Sequence, residues 1–138
     1  MREIPEKNWK TINGNAVLIK TGKTLTVNDK PRSGKQSQHV LPKNMSEREF
    51  QRRYRRSYFT GMTNKEVEAF IQNCIGKGVT HLDKNGGVHE IVRIAHDVGM
   101  SKQNDGTYRK SRTVYLRYNK SEGVHGFPCE DERYERGY

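Results

Sequence analysis

Hydrophobic positions in the middle of the chain predict an amphipathic helix. One set of apolar residues is spaced at i, i+3, i+4, i+7 and i+8: Val67, Phe70, Ile71, Cys74 and Ile75. Thr63 precedes this stripe, and Glu66 lies three residues after Thr63, which is the pattern of a capping box. The sequence therefore predicts a helix that begins at Thr63 and ends near Gly76 or Gly78, because glycine commonly follows the last helical turn.

An earlier segment predicts a second helix with a different character. Ser46 and Glu49 form another capping-box pattern. Behind them Phe50, Tyr54 and Tyr58 fall at i, i+4 and i+8, so they share one face of a helix over residues 46–59. The other faces carry arginines: Arg48, Arg52, Arg53, Arg55 and Arg56. This helix is expected to present a basic surface.

From Val79 onward the apolar residues alternate, which predicts strands. The segments are 79–82, 88–94, a long strand over 107–118, and 124–127, which Pro128 ends. Asn85–Gly86 predicts a two-residue hairpin turn, which would pair His81 with Glu90 and Leu82 with His89. Helices followed by antiparallel strands predict an α+β fold, with two N-terminal helices packed on a mostly antiparallel sheet of about four strands.

Composition shifts divide the chain into three parts. Residues 1–33 are interpreted as a lead-in or linker, with a short hairpin around Thr21–Gly22. Residues 34–129 form the compact domain, and residues 130–138 form a polar tail.

The charge balance narrows the class of partner. The chain has 26 Lys and Arg against 16 Asp and Glu, a net charge of +10. Such an excess attracts polyanions, and RNA or DNA is favoured over a membrane or over a basic surface without a specific partner. No stretch approaches the roughly 18 apolar residues of a membrane span. The N-terminal residues show no apolar core of a secretory signal.

Known metal and nucleotide motifs are missing from the sequence. It contains no CxxC pair, no HExxH motif and no phosphate-binding loop of the GxxxxGK(S/T) or GxGxxG type, so no metal and no nucleotide cofactor are predicted. Histidines among cations remain. RNA carries its own nucleophile in the 2′-OH, and histidine can act as acid or base near neutral pH.

Two histidines stand out by their local context. His39 lies four residues after Lys35 in a polar segment, and His125 lies between Gly123 and Gly126, where a ligand can approach the backbone. The alternatives are a solvated loop histidine and an ordinary strand histidine. His81, His89 and His96 are interpreted as structural or surface residues.

The long predicted strand supplies hydrogen-bond donors. Thr113, Tyr115 and Arg117 share one face by the period of two, while Tyr118 and Lys120 lie at its far end. The alternative is that these residue types simply suit strands.

Several short motifs together resemble a known family. They are Gly34-Lys35-Gln36-x-x-His39, a strand opening on Glu90, a strand bearing Thr113, Tyr118-x-Lys120, and Gly123-Val124-His125-x-x-Pro128. From Gly34 to Pro128 the chain resembles the nuclease domain of bacterial polymorphic toxins called polymorphic toxin type 50. That class is grouped with barnase, EndoU, RelE and the tRNA-cutting colicins as one α+β ribonuclease fold. Family members often have histidine and serine where this chain has Arg117 and Asn119.

The resemblance implies roles for particular residues. It makes His39 and His125 the acid–base pair, and the phosphate-binding or phosphate-stabilising residues would be Lys35, Thr113, Tyr118 and Lys120. The arginines predicted to contact RNA are Arg52, Arg53, Arg55, Arg56 and Arg117. With two unperturbed histidines, the rate would be bell-shaped with a maximum near pH 6 to 7.

These observations predict a metal-independent endoribonuclease toxin that cleaves RNA by 2′-OH transphosphorylation. It would act in a bacterial cytoplasm, delivered as the C-terminal part of a larger effector or encoded by a phage, and an acidic immunity or antitoxin protein would neutralise it. One alternative is a non-catalytic RNA- or DNA-binding module that uses the arginine-rich helix. Another is a phage structural or regulatory protein with degenerate catalytic residues.

Overall fold

The computed structural model describes residues 9–12, 15–20 and 23–136. Its strands are β1 Trp9–Ile12, β2 Asn15–Lys20, β3 Lys23–Val27, β4 Tyr58–Phe59, β5 Val79–Leu82, β6 Val88–Arg93, β7 Gly99–Lys102, β8 Tyr108–Ser111, β9 Thr113–Asn119 and β10 Gly123–Cys129. Its helices are α1 Ser33–Gln36, a 3₁₀ turn Ser37–His39, α2 Glu47–Tyr54, α3 Asn64–Cys74 and α4 Glu132–Arg136. Helices and antiparallel sheets make the α+β class that the sequence predicts.

The largest sheet has four antiparallel strands in the order β10-β9-β6-β5. Helix α3 covers one face, and its Val67 and Ile71 pack with Val114 and Leu116 of β9 in the main core. Thr63 caps this helix with the full capping box, because its hydroxyl accepts from the Glu66 backbone while the Glu66 carboxylate accepts from the Thr63 backbone. The stripe prediction for this helix is confirmed.

Helix α2 differs from the predicted helix over residues 46–59 in both length and packing. Ser46 caps its start, as predicted, but it ends at Tyr54 because Arg55 adopts left-handed backbone angles, with φ 50° and ψ 48°. Tyr58 belongs to β4 instead and is fully buried. Phe50 packs against the Tyr58 ring at 4.7 Å, so α2 lies on β4 and not on the four-stranded sheet.

The single long strand predicted over residues 107–118 is wrong. Arg112 interrupts it, donating its N–H to Asp131 at 2.8 Å and accepting at its carbonyl from the N–H of Ile94 at 2.7 Å. Strand β8 before the break joins a second antiparallel sheet in the order β4-β7-β8, whereas β9 after it joins the four-stranded sheet. The prediction of one sheet was therefore incomplete.

The predicted two-residue turn at Asn85–Gly86 is also wrong, by one residue of register. His81 faces His89 and Leu82 faces Val88. The Asp83 carboxylate accepts from the backbone N–H groups of Asn85 and Gly87, both at 2.8 Å, which holds a longer loop. Gly86 supplies the positive φ of 84° that this loop needs.

The C-terminal part continues further than its composition predicts. Strand β10 extends through Pro128 to Cys129, because β10 is an edge strand and the missing N–H of proline costs no ladder bond there. Beyond it α4 buries Tyr134, which packs with Ile91 and Tyr115 on the sheet face that α3 leaves open.

Strands β1, β2 and β3 form a third antiparallel sheet near the N-terminus. The segment that follows it runs beside β10: the carbonyl of Lys30 accepts from Val124 at 2.8 Å, and Arg32 donates to the Val124 carbonyl at 3.0 Å. The division of the chain into residues 1–33, 34–129 and 130–138 stays a prediction.

Candidate active site

Four polar side chains form a row on the face of the four-stranded sheet that lies opposite α3. In the strand register His125 of β10 lies opposite Arg117 of β9, Arg117 lies opposite His89 of β6, and His89 lies opposite His81 of β5. Residues directly opposite on neighbouring strands project from the same face. Because Leu116 packs toward α3, this row projects from the face opposite α3.

His39 reaches one end of this row from the segment that precedes α2. Its ring stacks on the His125 ring with 5.7 Å between centroids and 16° between planes. Phe127, two residues further along β10, stacks on His39 at 5.1 Å. The two histidines singled out by the sequence therefore lie side by side.

Gln36 brings the two histidine segments together. Its side-chain amide donates to the carbonyl of Gly126 and its side-chain oxygen accepts from the N–H of Gly126, each at 2.7 Å. The Gln36 side chain is buried, so these two bonds fix α1 on β10 and place His39 beside His125. The roles assigned from sequence missed this residue, although it is part of the Gly34-to-His39 motif.

The hydrogen bond of His39 sets which ring nitrogen is available. Its Nδ1 lies 2.9 Å from the carbonyl oxygen of Ser57. A carbonyl only accepts, so Nδ1 carries the proton and Nε2 of the neutral ring keeps the free lone pair. This arrangement makes Nε2 the nitrogen that can take a proton from a ligand.

Burial and nearby cations lower the pKa of both histidines. Desolvation lowers the pKa of His39 to about 4, with Arg56 and Lys35 acting in the same direction and the Ser57 bond opposing them. Desolvation, His39, Arg32, Lys35 and Arg117 together lower the pKa of His125 to about 3. The site is thus a pair of neutral imidazoles in a positive field, which suits an anionic ligand.

Lys35 and Arg117 are two cations that act electrostatically on the histidine pair. Lys35 lies near enough to both histidines to lower the pKa of each, and Arg117 flanks His125 across the strands. Arg32 is held partly by an ion pair with Glu122. The Nδ1 atom of His125 is buried and has no hydrogen-bond partner among the described residues.

Three other residues assigned from the resemblance lie elsewhere. Tyr118 is on the α3 face, where its hydroxyl donates to Glu90 at 2.8 Å. Thr113 is buried at the other end of β9, and its hydroxyl donates to Asp131 at 2.9 Å. Lys120 is exposed in the turn after β9, where its carbonyl accepts from Asn28 at 3.1 Å. The structure does not bring these three to the histidine pair.

Glu90, which belongs to one of the family motifs, holds backbone groups of the protein in place. It is fully buried, and its two carboxylate oxygens accept from the backbone N–H groups of Gly76 and Gly78 at 3.1 and 2.7 Å. These bonds join the end of α3 to β6.

A second histidine pair occupies the far end of the row. The rings of His81 and His89 stack at 5.1 Å, and Nε2 of His89 lies 2.9 Å from the Asp83 carboxylate. Tyr115 packs between His89 and Phe127, at 5.4 Å from each, so a run of aromatic rings leads from His39 across the sheet. The sequence pattern placed both histidines beside the hairpin, but the predicted register paired each of them with another residue.

The predicted RNA-binding arginines differ in their environments. Arg52 is paired with Glu49 one turn earlier, at 2.5 Å, and Arg53 is exposed. Arg56 donates to the side-chain oxygen of Gln38 at 2.8 Å and lies close enough to His39 to lower its pKa. Arg56 therefore brings the basic segment after α2 toward the histidine pair.

The described residues form neither a metal cluster nor a membrane-spanning helix. No three His, Cys, Asp or Glu side chains of residues 26–135 cluster as a metal site would require. No helix in the part of the chain that the structure describes is long and apolar enough to cross a membrane.

Comparison with known proteins identifies the family. The family model described as bacterial toxin 50 matches residues 32–128. The chain therefore belongs to this family of bacterial toxin domains, and the match contains both His39 and His125. No curated protein and no solved structure matches the chain.

Proposed function

We propose that this toxin domain is a metal-independent endoribonuclease whose catalytic residues are His39 and His125. The observation that supports it most is the stacked pair itself, with 5.7 Å between ring centroids on a sheet face surrounded by Lys35, Arg32 and Arg117. General acid and general base catalysis requires two such groups within reach of one phosphate.

The proposed reaction is an internal transfer of the phosphoryl group. One imidazole takes the proton of the 2′-OH, and the 2′ oxygen attacks the adjacent phosphorus. The bond from phosphorus to the 5′ oxygen of the next nucleotide breaks, and the other imidazole donates its proton to that oxygen. The products are a 2′,3′-cyclic phosphate end and a free 5′-OH end.

The surrounding cations would support this step in two ways. Lys35 and Arg117 can donate to the phosphoryl oxygens, where negative charge increases in the pentavalent state. A bound phosphate would also offset the cations that depress the pKa of His125, so the imidazole that acts as acid can hold its proton. Thr113, Tyr118 and Lys120 are left out of the proposed chemistry because they lie away from the pair.

Recognition of the RNA strand is assigned to the basic residues outside the pair. The proposed RNA contacts are Arg117 on the sheet and Arg52, Arg53, Arg55 and Arg56 around the end of α2. An acidic immunity or antitoxin protein is the proposed neutralising partner, because a net charge of +10 favours an acidic inhibitor. The proposed place of action is the cytoplasm of a bacterium, which the domain would reach as part of a larger effector.

The test is cleavage of total RNA in the presence of EDTA. We expect products with 2′,3′-cyclic phosphate ends, and a rate reduced at least about 100-fold in His39→Ala and in His125→Ala. His96→Ala is the matched control, because His96 is exposed and outside the row. Wild-type protein that binds RNA but yields no cyclic phosphate ends would refute the proposal.

A non-catalytic RNA-binding module is the second candidate. The low pKa values of His39 and His125 favour it for the free protein, because neither imidazole is a proton donor near pH 7 until an anion binds. This candidate predicts RNA binding that persists in both alanine variants and no cleavage by any of the proteins.

A further inference from the structure

A second concentration of positive charge lies in an open cleft between α2 and the β7–β8 hairpin. The cleft has a volume of about 450 Å³, and its cationic lining residues are Arg48, Arg52, Arg55 and Lys102. Tyr108 of β8 also lines it. This cleft is separate from the sheet face that holds the histidine row.

Most of this charge is not neutralised within the described part of the protein. Arg52 is paired with Glu49, but no carboxylate of residues 26–135 lies within 4.0 Å of Arg48, Arg55 or Lys102. Like charges that share one concavity repel each other and raise the local concentration of anions. The cleft is therefore suited to a ligand with several negative charges.

Two residues of the lining, Tyr108 and Arg55, have unusual environments. The Tyr108 hydroxyl is shielded from solvent and has no hydrogen-bond partner among the described residues. Arg55, with φ 50°, is the one described residue other than glycine with a positive φ. Glycine or asparagine usually occupies that position at a helix end, so a long cation there is kept at a conformational cost.

The cleft is connected to the candidate active site by three consecutive residues. Arg55 lines the cleft, Arg56 lies close to His39, and the Ser57 carbonyl binds His39 Nδ1. The Ser57 hydroxyl also accepts from the backbone N–H of Lys102 at 2.9 Å, which fixes this segment to β7. A strand passing from His39 along Arg56 would therefore reach the cleft.

We propose that the cleft is a binding site for the phosphodiester backbone of the same RNA strand that the histidine pair engages. Arg48, Arg55 and Lys102 contact phosphates that flank the reacting one, and Arg56 lies between the two sites. The assignment rests on the proposed function for the identity of its ligand, because RNA is the polyanion that would extend continuously from the histidines.

The test uses binding, so it does not depend on cleavage. The probe is a fluorescent 2′-O-methyl RNA of about twelve nucleotides, which lacks the nucleophile. The cleft variant combines Arg48→Gln with Lys102→Gln, two exposed positions whose replacement leaves the core unchanged. The control combines Lys65→Gln with Lys77→Gln, which removes the same charge from exposed positions on and just after α3.

We expect the cleft variant to bind the probe about tenfold more weakly, while the control stays within about twofold of wild type. The slope of log affinity against log salt should fall by about 1.4 in the cleft variant, since each contacted phosphate of a single strand contributes about 0.7. Binding of a 2′-O-methyl dinucleotide, which spans only the histidine pair, should change equally little in both.

Equal losses in the cleft variant and the control would overturn the proposal, and an unchanged salt slope would do the same. Failure of the ribonuclease proposal has a different signature: absence of cyclic phosphate ends with the cleft-specific loss of binding retained. RNA binding that both double variants preserve would also overturn the proposal, and an acidic protein would then be the occupant to test.

Discussion

Acid should destabilise this protein through its two site histidines, and the loss should begin above the pH at which ordinary carboxylates titrate. An ordinary histidine pKa is 6.5, and the folded values are about 4 for His39 and about 3 for His125. The unfolded chain therefore binds protons more readily than the folded chain below pH 6.5. Because both folded pKa values are depressed, the contribution of the two histidines to stability is fully present above pH 6.5 and is lost as pH falls toward 4 and below.

The magnitude follows from these values. Between pH 8 and pH 5, a group whose pKa drops from 6.5 to 4 or lower reduces the free energy of unfolding by about 2 kcal/mol. The two histidines together should remove about 4 kcal/mol, which is a large part of the 5–15 kcal/mol that stabilises most domains. His39→Asn or His125→Asn should halve this loss, because one titrating group remains.

The assay is urea unfolding at pH 8, 6.5 and 5, followed by circular dichroism. His96→Asn serves as the control, since an exposed histidine should leave the pH dependence as in wild type. Equal free energies of unfolding at pH 8 and pH 5 in wild type would show that the imidazoles are not desolvated, and the reasoning would fail.

Three further predictions concern the site and its support. Gln36→Glu should lower the free energy of unfolding by about 3 kcal/mol, because a carboxylate oxygen would replace the amide that donates to the Gly126 carbonyl in a buried position. Urea unfolding measures this change. A loss below about 1 kcal/mol would count against the amide as the link between the two segments. Glu90→Gln should cost about 3 kcal/mol as well, since an amide would face the N–H groups of Gly76 or Gly78; an unchanged unfolding midpoint would contradict it. In the ribonuclease assay, kcat/KM should fall about tenfold per pH unit from pH 5 to 7, because the free enzyme loses its protonated imidazole above about pH 4. A kcat/KM that rises over this range would exclude an imidazole acid with the lowered pKa. This places the optimum below the pH 6 to 7 expected for unperturbed histidines.

Local patterns in the sequence were sufficient for the elements whose structure depends on neighbours along the chain. Helix α3, Asn64–Cys74, follows from its capping box and its apolar stripe, both of which act within a few residues. The alternation in β5, β6 and β10 predicted strands for the same reason. The charge and the family motifs also came from the sequence, and the match to residues 32–128 confirms the toxin family.

Tertiary contacts decided the rest. The helix predicted through Phe59 ends at Tyr54, because Tyr58 and Phe59 pair with β7 instead. Gly99 permits this approach, since a Cβ there would lie 2.1 Å from the Tyr58 carbonyl oxygen. Asp83 sets the hairpin register through its own carboxylate, and Asp131 breaks the long strand at Arg112. No periodicity encodes such side-chain contacts with the backbone.

The sequence by itself determined that His39 and His125 occur in motifs suited to phosphate chemistry. Only the tertiary structure determined that they form a stacked pair, because Gln36 and Gly126, 90 residues apart in the chain, exchange two buried hydrogen bonds. It also determined that Tyr118 and Thr113 serve other contacts and that His81 and His89 join the same sheet face. Strand register and the docking of α1 depend on which distant groups can satisfy each other once water is excluded, and that information is absent from any local pattern.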